Sequence, residues 1–454
     1  MNTVFQDTIT ALATPPGIGA IGIIRVSGPK AVSIVNEVFY GKNLEKVDSH
    51  SIHLGTIRNG DQILDEVLVS IFKAPKSYTK EDVIEVSSHG SPYILQKVLN
   101  LFISKGARLA KPGEFTQRAF FNGRFDLAQA EAVADLIASE NASMQRAAMN
   151  QMRGGFSNEI KDLREQLVHF ASMIELELDF AEEEVEFADR SGLLELIDKI
   201  QILIQSLIAS FEYGNVMKNG VSIVIAGKPN VGKSTLLNAL LNEEKAIVSD
   251  VPGTTRDFIE DQMIIDGVVF RFIDTAGIRE TEDQVESVGV QRTWEKMKTA
   301  SVIIYLFDLV NESVDSIREQ LNELKVFDTS FLIVGNKSDN AKAELKNVLA
   351  TEDALFISAK NRENLPLLKE RLQTFIHKPS IQSNTILTNA RHVESLQRTN
   401  EALNRVIGGI DSGLSSDLVA QDIRSALFHL GEITGEVTAD DLLENIFSKF
   451  CIGK

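Results

Sequence analysis

The spacing of apolar positions changes along the chain, and each change marks a different kind of structure. Up to about residue 122, runs rich in β-branched residues (Ile18 to Val26, Ile63 to Phe72, Val83 to Val86) alternate with Pro and Gly punctuation and one helical stretch, Tyr93 to Lys105. Short runs bounded by turn residues predict strands, so this segment reads as an α+β or α/β domain. From Leu127 to about Ser210, apolar residues recur at helical spacing, first as Ala128, Ala132 and Leu136, then as Leu163, Leu167, Phe170, Ile174 and Leu178. That period predicts long helices, with Gly154-Gly155 the only strong interruption.

At Val221 the pattern becomes strand, glycine-rich loop, helix and strand, repeated to about His377. This is the signature of a parallel α/β unit. Beyond Pro379 the helical period returns through Val393, Leu396, Leu403, Val406, Leu418, Ile423 and Leu427, then Leu442 to Phe450. An α/β unit inserted into one helical domain accounts for this order, because inserted domains usually have neighbouring termini. The expected division is 1–122, 123–216, 217–379 and 380–454.

A length of 454 residues fits several domains at ~150 residues each. The net charge of −18 argues against a surface that grips nucleic acid throughout by phosphate neutralisation, although a local basic groove is compatible with it. One cysteine excludes an intrachain disulfide and suits a reducing compartment. The N-terminus lacks the charged-then-apolar pattern of a signal peptide, and apolar runs such as Val221 to Ala226 fall far below the ~20 residues of a membrane helix. A cytoplasmic protein with no membrane partner is expected. His50 and His53 fall in a β-like turn region without a third metal ligand, His89 beside Gly90 reads as a loop or packing residue, and the acids Glu182-Glu183-Glu184, Glu186 and Asp189 read as a solvated face.

Gly227-Lys228-Pro229-Asn230-Val231-Gly232-Lys233-Ser234 fits the P-loop pattern, between the apolar strand Val221 to Ala226 and a helix from Thr235 to Leu241. Glycines let backbone N–H groups curl around phosphate oxygens, Lys233 offers a charge to the terminal phosphates and Ser234 can ligate magnesium. Asp274-Thr275-Ala276-Gly277 follows the strand Val268 to Ile273, where the carboxylate can hold magnesium through water and Gly277 can meet the γ-phosphate. Asn336-Lys337-Ser338-Asp339 follows the strand Phe331 to Gly335, and Asp339 suits the paired N–H donors of guanine, which adenine lacks. Ser358-Ala359-Lys360 after Leu355-Phe356-Ile357 could close over the base. Motifs in this order at strand ends fit a GTP-binding, doubly wound, mostly parallel sheet.

Between the first two motifs, Gly253-Thr254-Thr255-Arg256-Asp257 places Thr255 to sense the γ-phosphate and complete the magnesium shell. Ile278 stands where many GTPases carry a water-orienting glutamine, so another group must position the water; Glu280, Glu282, Asp283 and Glu286 are equivalent by chemistry alone. Arg256 reads as a loop anchor rather than an arginine finger. The side-chain oxygen of Asn230 can ligate a monovalent cation between the phosphates and supply the positive charge instead.

Four blocks resemble the tRNA-modifying GTPase family MnmE, also called TrmE, over the full length. They are Ala13-Thr14-Pro15-Pro16-Gly17 with Arg25-Val26-Ser27-Gly28; Pro112-Gly113-Glu114-Phe115-Thr116 with Asn122-Gly123-Arg124-Phe125-Asp126-Leu127-Ala128-Gln129-Ala130-Glu131; the GTPase motifs; and the terminal Cys451-Ile452-Gly453-Lys454. The resemblance implies an N-terminal folate-binding and dimerisation domain, a discontinuous helical domain and an inserted GTPase domain. It implies potassium-activated GTP hydrolysis, and work with an FAD-containing partner, MnmG, that installs an aminomethyl or carboxymethylaminomethyl group on carbon 5 of the tRNA wobble uridine. The one-carbon unit would come from 5-formyltetrahydrofolate or a related folate. Family members form homodimers, and heterotetramers with MnmG, with tRNA held mainly through the complex.

Carried over by motif, Asn230, Ser249, Val251 and Thr254 would surround potassium, Ser234 and Thr255 would meet magnesium, and Pro252 and Gly253 would complete the nucleotide-contacting switch. The family's position for a water-positioning glutamate selects Glu286, with Lys233 as the catalytic charge. Folate contacts would be Arg25, Glu85, Arg124 and Lys454, a carboxylate for the pterin edge and cations for the glutamate tail. Cys451 is a site-forming or catalytic candidate by resemblance; on its own it reads as a small buried hydrophobe, and Gly453 and Lys454 do not fit a prenylation signal. A stripe of Leu442, Leu443, Ile446, Phe447 and Phe450 could dock and carry this tail to a site. The alternative reading is a regulatory GTP switch that binds ribosomal or other RNA without modification chemistry, which gives the folate-like block and the tail nothing to do.

Overall fold

The structure is a computed structural model that describes residues 5–179, 190–243, 261–273, 297, 300–324, 329–341, 349, 352–376, 385–437 and 440–453. Packing divides the chain into two compact units, one made of residues 1–138, 147–204 and 394–454 and the other of 139–146 and 205–393.

The first unit is built on seven strands: β1 (Ile9–Leu12), β2 (Ile21–Ser27), β3 (Phe39–Tyr40), β4 (Ser51–Asn59), β5 (Gln62–Phe72), β6 (Val83–His89) and β7 (Arg108–Leu109). Their order across the sheet is β3-β4-β5-β6-β2-β1-β7, antiparallel except for the parallel β1–β7 pair. The sheet is one-sided. In β5, Val67, Val69 and Ile71 point inward, each contributing about 1.5–3 kcal/mol of burial, while Glu66 and Leu68 point outward. Helices Ala31–Val38 and Pro92–Ser104 bring Ile34, Val35, Val98 and Phe102 onto the inward face.

Two sequence expectations shift here. The run Ile18 to Val26 becomes a strand only from Ile21, and Ile18, 94% exposed, belongs to the preceding loop with Gly17 and Gly19. The turn expected around His50 and His53 holds only for His50, which has φ +63° just ahead of the strand; His53 lies in β4, nine residues from Ser51 to Asn59. Its apolar residues Ile52 and Leu54 lie on the solvent side at 65% and 63% exposure, so no buried stripe announces the strand.

The helical part of this unit begins at Leu127–Ile137, where Asp126 and Gln129 form a capping box: the Asp126 carboxylate accepts the Gln129 N–H at 2.8 Å, and the Gln129 side chain accepts the Asp126 N–H at 3.0 Å. Gly154-Gly155 is not the only interruption. The helix ends at Ile137 and a new one starts at Ala142, with the Asn141 side chain accepting the Met144 N–H at 2.8 Å. A side-chain N-cap of this kind starts a new helix, so the period is interrupted without glycine or proline. Helices Gly155–Asp179 and Ser416–Thr434 follow in this unit, as do residues 190–204 of Arg190–Asn219 and 394–411 of Ala390–Asp411, and Asp440–Ser448 docks Leu443, Phe447 and nearby Phe450 against Leu127 and Ala130. The acids 182–189 lie outside the described residues.

The second unit holds β8 (Val221–Ala226), β9 (Asp261–Ile265), β10 (Val268–Phe272), β11 (Val302–Asp308), β12 (Ser330–Asn336) and β13 (Leu355–Phe356) in the order β13-β12-β11-β8-β10-β9. All pairs are parallel except the β9–β10 hairpin. All seven residues of β11 are buried, as expected for a strand covered on both faces. Leu236, Leu240, Leu365 and Leu368 from helices Lys233–Glu243 and Leu365–Gln373 pack on one face; Ile317 and Leu321 from Val314–Leu324 pack on the other. This is the doubly wound architecture that the alternation of strands and helices implied.

Candidate functional site

Two groups of expected residues converge, one in each unit. In the second unit, β8 runs into the loop 227–232 and then the helix Lys233–Glu243. Gly232 has φ +101°, and a Cβ there would collide with the Asn336 side chain, so this position requires glycine. Asn230 also takes a left-handed conformation, with φ +62°, which asparagine tolerates better than most residues. Val231 is buried beneath the loop, and Ser234 and Thr235 open the helix.

Asn336, at the end of β12, ties the loops together. Its Nδ2 donates to the Val231 carbonyl at 2.8 Å, and its Oδ1 accepts the Ala359 N–H at 3.0 Å. Lys337 Nζ donates to the Asn230 carbonyl at 3.1 Å and to Asp308 Oδ2 at 2.7 Å. Ser338 donates its N–H to the Ile357 carbonyl at 3.0 Å, which draws the segment carrying Asp339 toward Ser358-Ala359-Lys360. Lys233 Nζ donates to the carbonyls of Gly227 and Lys228 at 2.7 and 2.9 Å, and burial pushes its amine below the ordinary lysine range. The loop backbone and these side chains form the kind of cradle that receives phosphate oxygens and a base.

Asp308 is a participant that the motifs missed. Besides Lys337 it accepts the Val310 N–H at 2.8 Å and Asn311 Nδ2 at 2.7 Å. Burial alone would raise its carboxyl, but Lys337 and these donors outweigh burial and hold it below the usual aspartate range. Its signal in the sequence was its place at the carboxyl end of an apolar strand, the rule that singled out Asp274. Ser249, Val251, Pro252, Gly253, Thr254, Thr255, Asp274, Thr275, Ala276, Gly277 and Glu286 lie outside the described residues, as does Lys454.

In the first unit, Arg25, Glu85 and Arg124 line one cavity of about 590 Å³ together with Tyr78, Ser77, Lys76, Lys80 and His50. Arg25 on β2 faces Glu85 on β6 in register, with Nε to Oε1 at 2.9 Å. The Arg25 guanidinium lies 5.3 Å from the Tyr78 ring centre and 5.5 Å from that of Phe115. Arg124 donates to the Ser77 carbonyl and lies 5.0 Å from the Tyr78 ring centre. Burial raises the Tyr78 hydroxyl above its ordinary value.

Glu81 and Glu85, four positions apart, have different surroundings. Glu81 is buried against Arg118 at 3.2 Å and accepts from Ser27 at 2.7 Å, outside the cavity lining. Burial raises its carboxyl, a shift only partly offset by Arg118.

The C-terminal tail reaches the same place. The Gly113 N–H donates to the Cys451 carbonyl at 3.4 Å, and Arg25 Nη1 donates to the Gly453 carbonyl at 3.2 Å. Gly453 has φ +96°, and a Cβ there would meet the Leu12 carbonyl. Cys451 is exposed, not a small buried hydrophobe, because Phe447 and Phe450 take the apolar positions ahead of it. Among the described residues no group of His, Cys, Asp and Glu could hold a metal ion, and no helix is long and apolar enough to cross a membrane.

A family model described as the GTP-binding protein TrmE N-terminus matches residues 8–124, and one described as the MnmE helical domain matches residues 127–451. A tRNA modification GTPase MnmE of Cytophaga hutchinsonii is 58% identical over 450 residues, covering 99% of this chain and 98% of that protein. The protein of the same name from Christiangramia forsetii is 53% identical over 473 residues, covering 99% of each. Among solved structures, the G domain of the T. maritima FeoB iron transporter aligns at 23% identity with 35% of this chain and 99% of that chain, at a TM-score of 0.27. With both family models matched in sequence and relatives similar over almost their whole length, the chain belongs to the MnmE (TrmE) family of tRNA modification GTPases.

Proposed function

We propose that this chain is a potassium-activated GTP hydrolase that acts with an FAD-containing partner, MnmG, to add an aminomethyl or carboxymethylaminomethyl group to carbon 5 of the tRNA wobble uridine. The observation that carries the reading is the docking of the Cys451–Gly453 tail against Arg25, in a chain that also holds the guanine-nucleotide loops. A GTP switch alone has no use for that second site. The relatives are named tRNA modification GTPases, which supports the coarser statement of GTP hydrolysis in tRNA modification.

In this reading Asp339 accepts from the guanine N–H donors while Asn336 keeps the base loop and P-loop together. Lys233 sets its charge against the terminal phosphates, Ser234 and Thr255 hold magnesium, and Asn230, Ser249, Val251 and Thr254 hold potassium. Thr255 senses the γ-phosphate, Asp274 holds magnesium through water, Gly277 meets the γ-phosphate, and Glu286 positions the attacking water. A folate sits in the cavity on Glu85, Arg25, Arg124 and Lys454; its aromatic wall and its carboxylate among cations fit such a ligand. The folate supplies a one-carbon unit, and Cys451 forms part of that site. The chain divides into 1–122, 123–216, 217–379 and 380–454, acts in the cytoplasm, pairs through its N-terminal domain as a homodimer and joins MnmG as a heterotetramer that holds the tRNA.

GTP hydrolysis by the full chain in potassium against sodium buffer tests the catalytic part. A rise of about tenfold or more in potassium is expected, the scale of one electrostatic stabiliser. Equal rates in the two salts would contradict it.

A further inference from the structure

The cavity beside the docked tail carries more positive charge than its wall can balance. Glu85 is the one carboxylate in its lining, and Arg25 already engages it at 2.8 Å. Lys80 Nζ donates to the Gly123 carbonyl at 2.7 Å, and Arg124 donates to the Ser77 carbonyl. A carbonyl orients a cation without neutralising it. Lys76, Lys80 and Arg124 have no carboxylate partner among the described residues, although the chain as a whole carries a net charge of −18.

These cations also lie on the outer side of the cavity. Arg25 is 13% exposed and sits over Tyr78 and Phe115, whereas Lys76 and Arg124 are exposed. The loop contacts Lys80–Gly123 and Arg124–Ser77 hold the two segments side by side, so their charges form one rim. An aromatic head against Tyr78 would leave this rim to whatever trails outward. One terminal glutamate carries two carboxylates, and each added γ-linked glutamate carries one more past the same rim.

We propose that Lys76, Lys80 and Arg124 form a subsite for a row of carboxylates, which selects the oligo-γ-glutamyl form of a folate over the monoglutamate. This rests on the folate reading of the cavity and specifies which form of the ligand it takes. The aromatic wall and the single carboxylate suit a small heterocycle with an acidic tail better than an RNA backbone, whose charges would extend over a wider surface.

Binding of 5-formyltetrahydrofolate mono- and triglutamate to the full chain by calorimetry tests this. The triglutamate is expected to bind about fivefold tighter, with the gain shrinking as salt rises. In the double variant Lys76→Gln and Lys80→Gln the gain should fall to less than about twofold, and Lys76→Arg with Lys80→Arg should restore it. Equal binding of the two forms by wild type would overturn the subsite and leave the folate reading standing. No binding of either form would overturn both. A short RNA that binds through the same two lysines, with no triglutamate gain, would overturn the subsite and assign the cations to nucleic acid.

Discussion

Arg25 donates through Nη1 to the main-chain carbonyl of Gly453 at 3.2 Å, joining residues 428 positions apart. The same guanidinium holds Glu85 through Nε at 2.9 Å, so one side chain fixes both a cavity wall and the tail that bears Cys451. The helix Asp440–Ser448 makes this possible, because Leu443 and Phe447 are buried and set the point from which the tail leaves.

Gly453→Ala should release the tail. Its backbone is left-handed and a Cβ would meet the Leu12 carbonyl, so docking loses about 1–2 kcal/mol. Carboxypeptidase should then remove the last residues about tenfold faster than from wild type. An unchanged digestion rate would mean that the contact to Arg25 does not hold the tail.

Arg118→Met should be among the most damaging changes in the first unit. The Arg118 side chain is fully buried between Asp7, Glu81 and Glu114, and removing it leaves Glu81 buried with no opposing charge. The expected loss is about 3–5 kcal/mol, read from urea unfolding followed by a probe in this unit. Adding Glu81→Gln should recover part of it.

Asp339→Asn should move nucleotide preference away from guanine. Losing an acceptor for two N–H donors at a charge-assisted site predicts a GTP affinity about 100-fold weaker, measured with a fluorescent analogue. Xanthosine triphosphate, which offers a carbonyl in place of the amino group, should gain.

Asp308→Asn should reveal a pH dependence. The folded carboxyl titrates below the ordinary aspartate value, so Asp308 contributes stability that is complete above about pH 4 and lost as pH falls through its folded value. The wild type should exceed the variant by about 1.5–3 kcal/mol in urea unfolding at pH ~7. The difference should narrow only as pH falls below the ordinary aspartate value, toward the folded one.

The nucleotide loops were legible because their chemistry needs fixed residue types at strand ends: Lys233, Asn336 and Asp339 stand in motifs whose flanking apolar runs are strands. Asp308 was missed because it belongs to no such motif; only its contact with Lys337 gives it a role. The cavity was legible only in part. Arg25, Glu85 and Arg124 came from resemblance, whereas Lys76, Lys80 and Tyr78 are brought in by a loop whose path no local pattern encodes. The strand β4 is hard to read because Ile52 and Leu54 face solvent while the other face begins with Ser51, His53 and Gly55, so no buried apolar run marks it. The helix break at residues 138–141 carries no glycine or proline, and its one local signal is the Asn141 side chain that caps the start of the next helix.

If the guanine-nucleotide loops and the tail-bearing cavity serve one tRNA modification, nucleoside mass spectrometry of tRNA will show it. Cells lacking this protein would be complemented with wild type, Cys451→Ser or Asp339→Asn. The carbon-5 wobble-uridine modification should disappear in the deletion and return only with wild type. Unchanged nucleosides in the deletion would contradict this and favour an RNA-bound GTP switch.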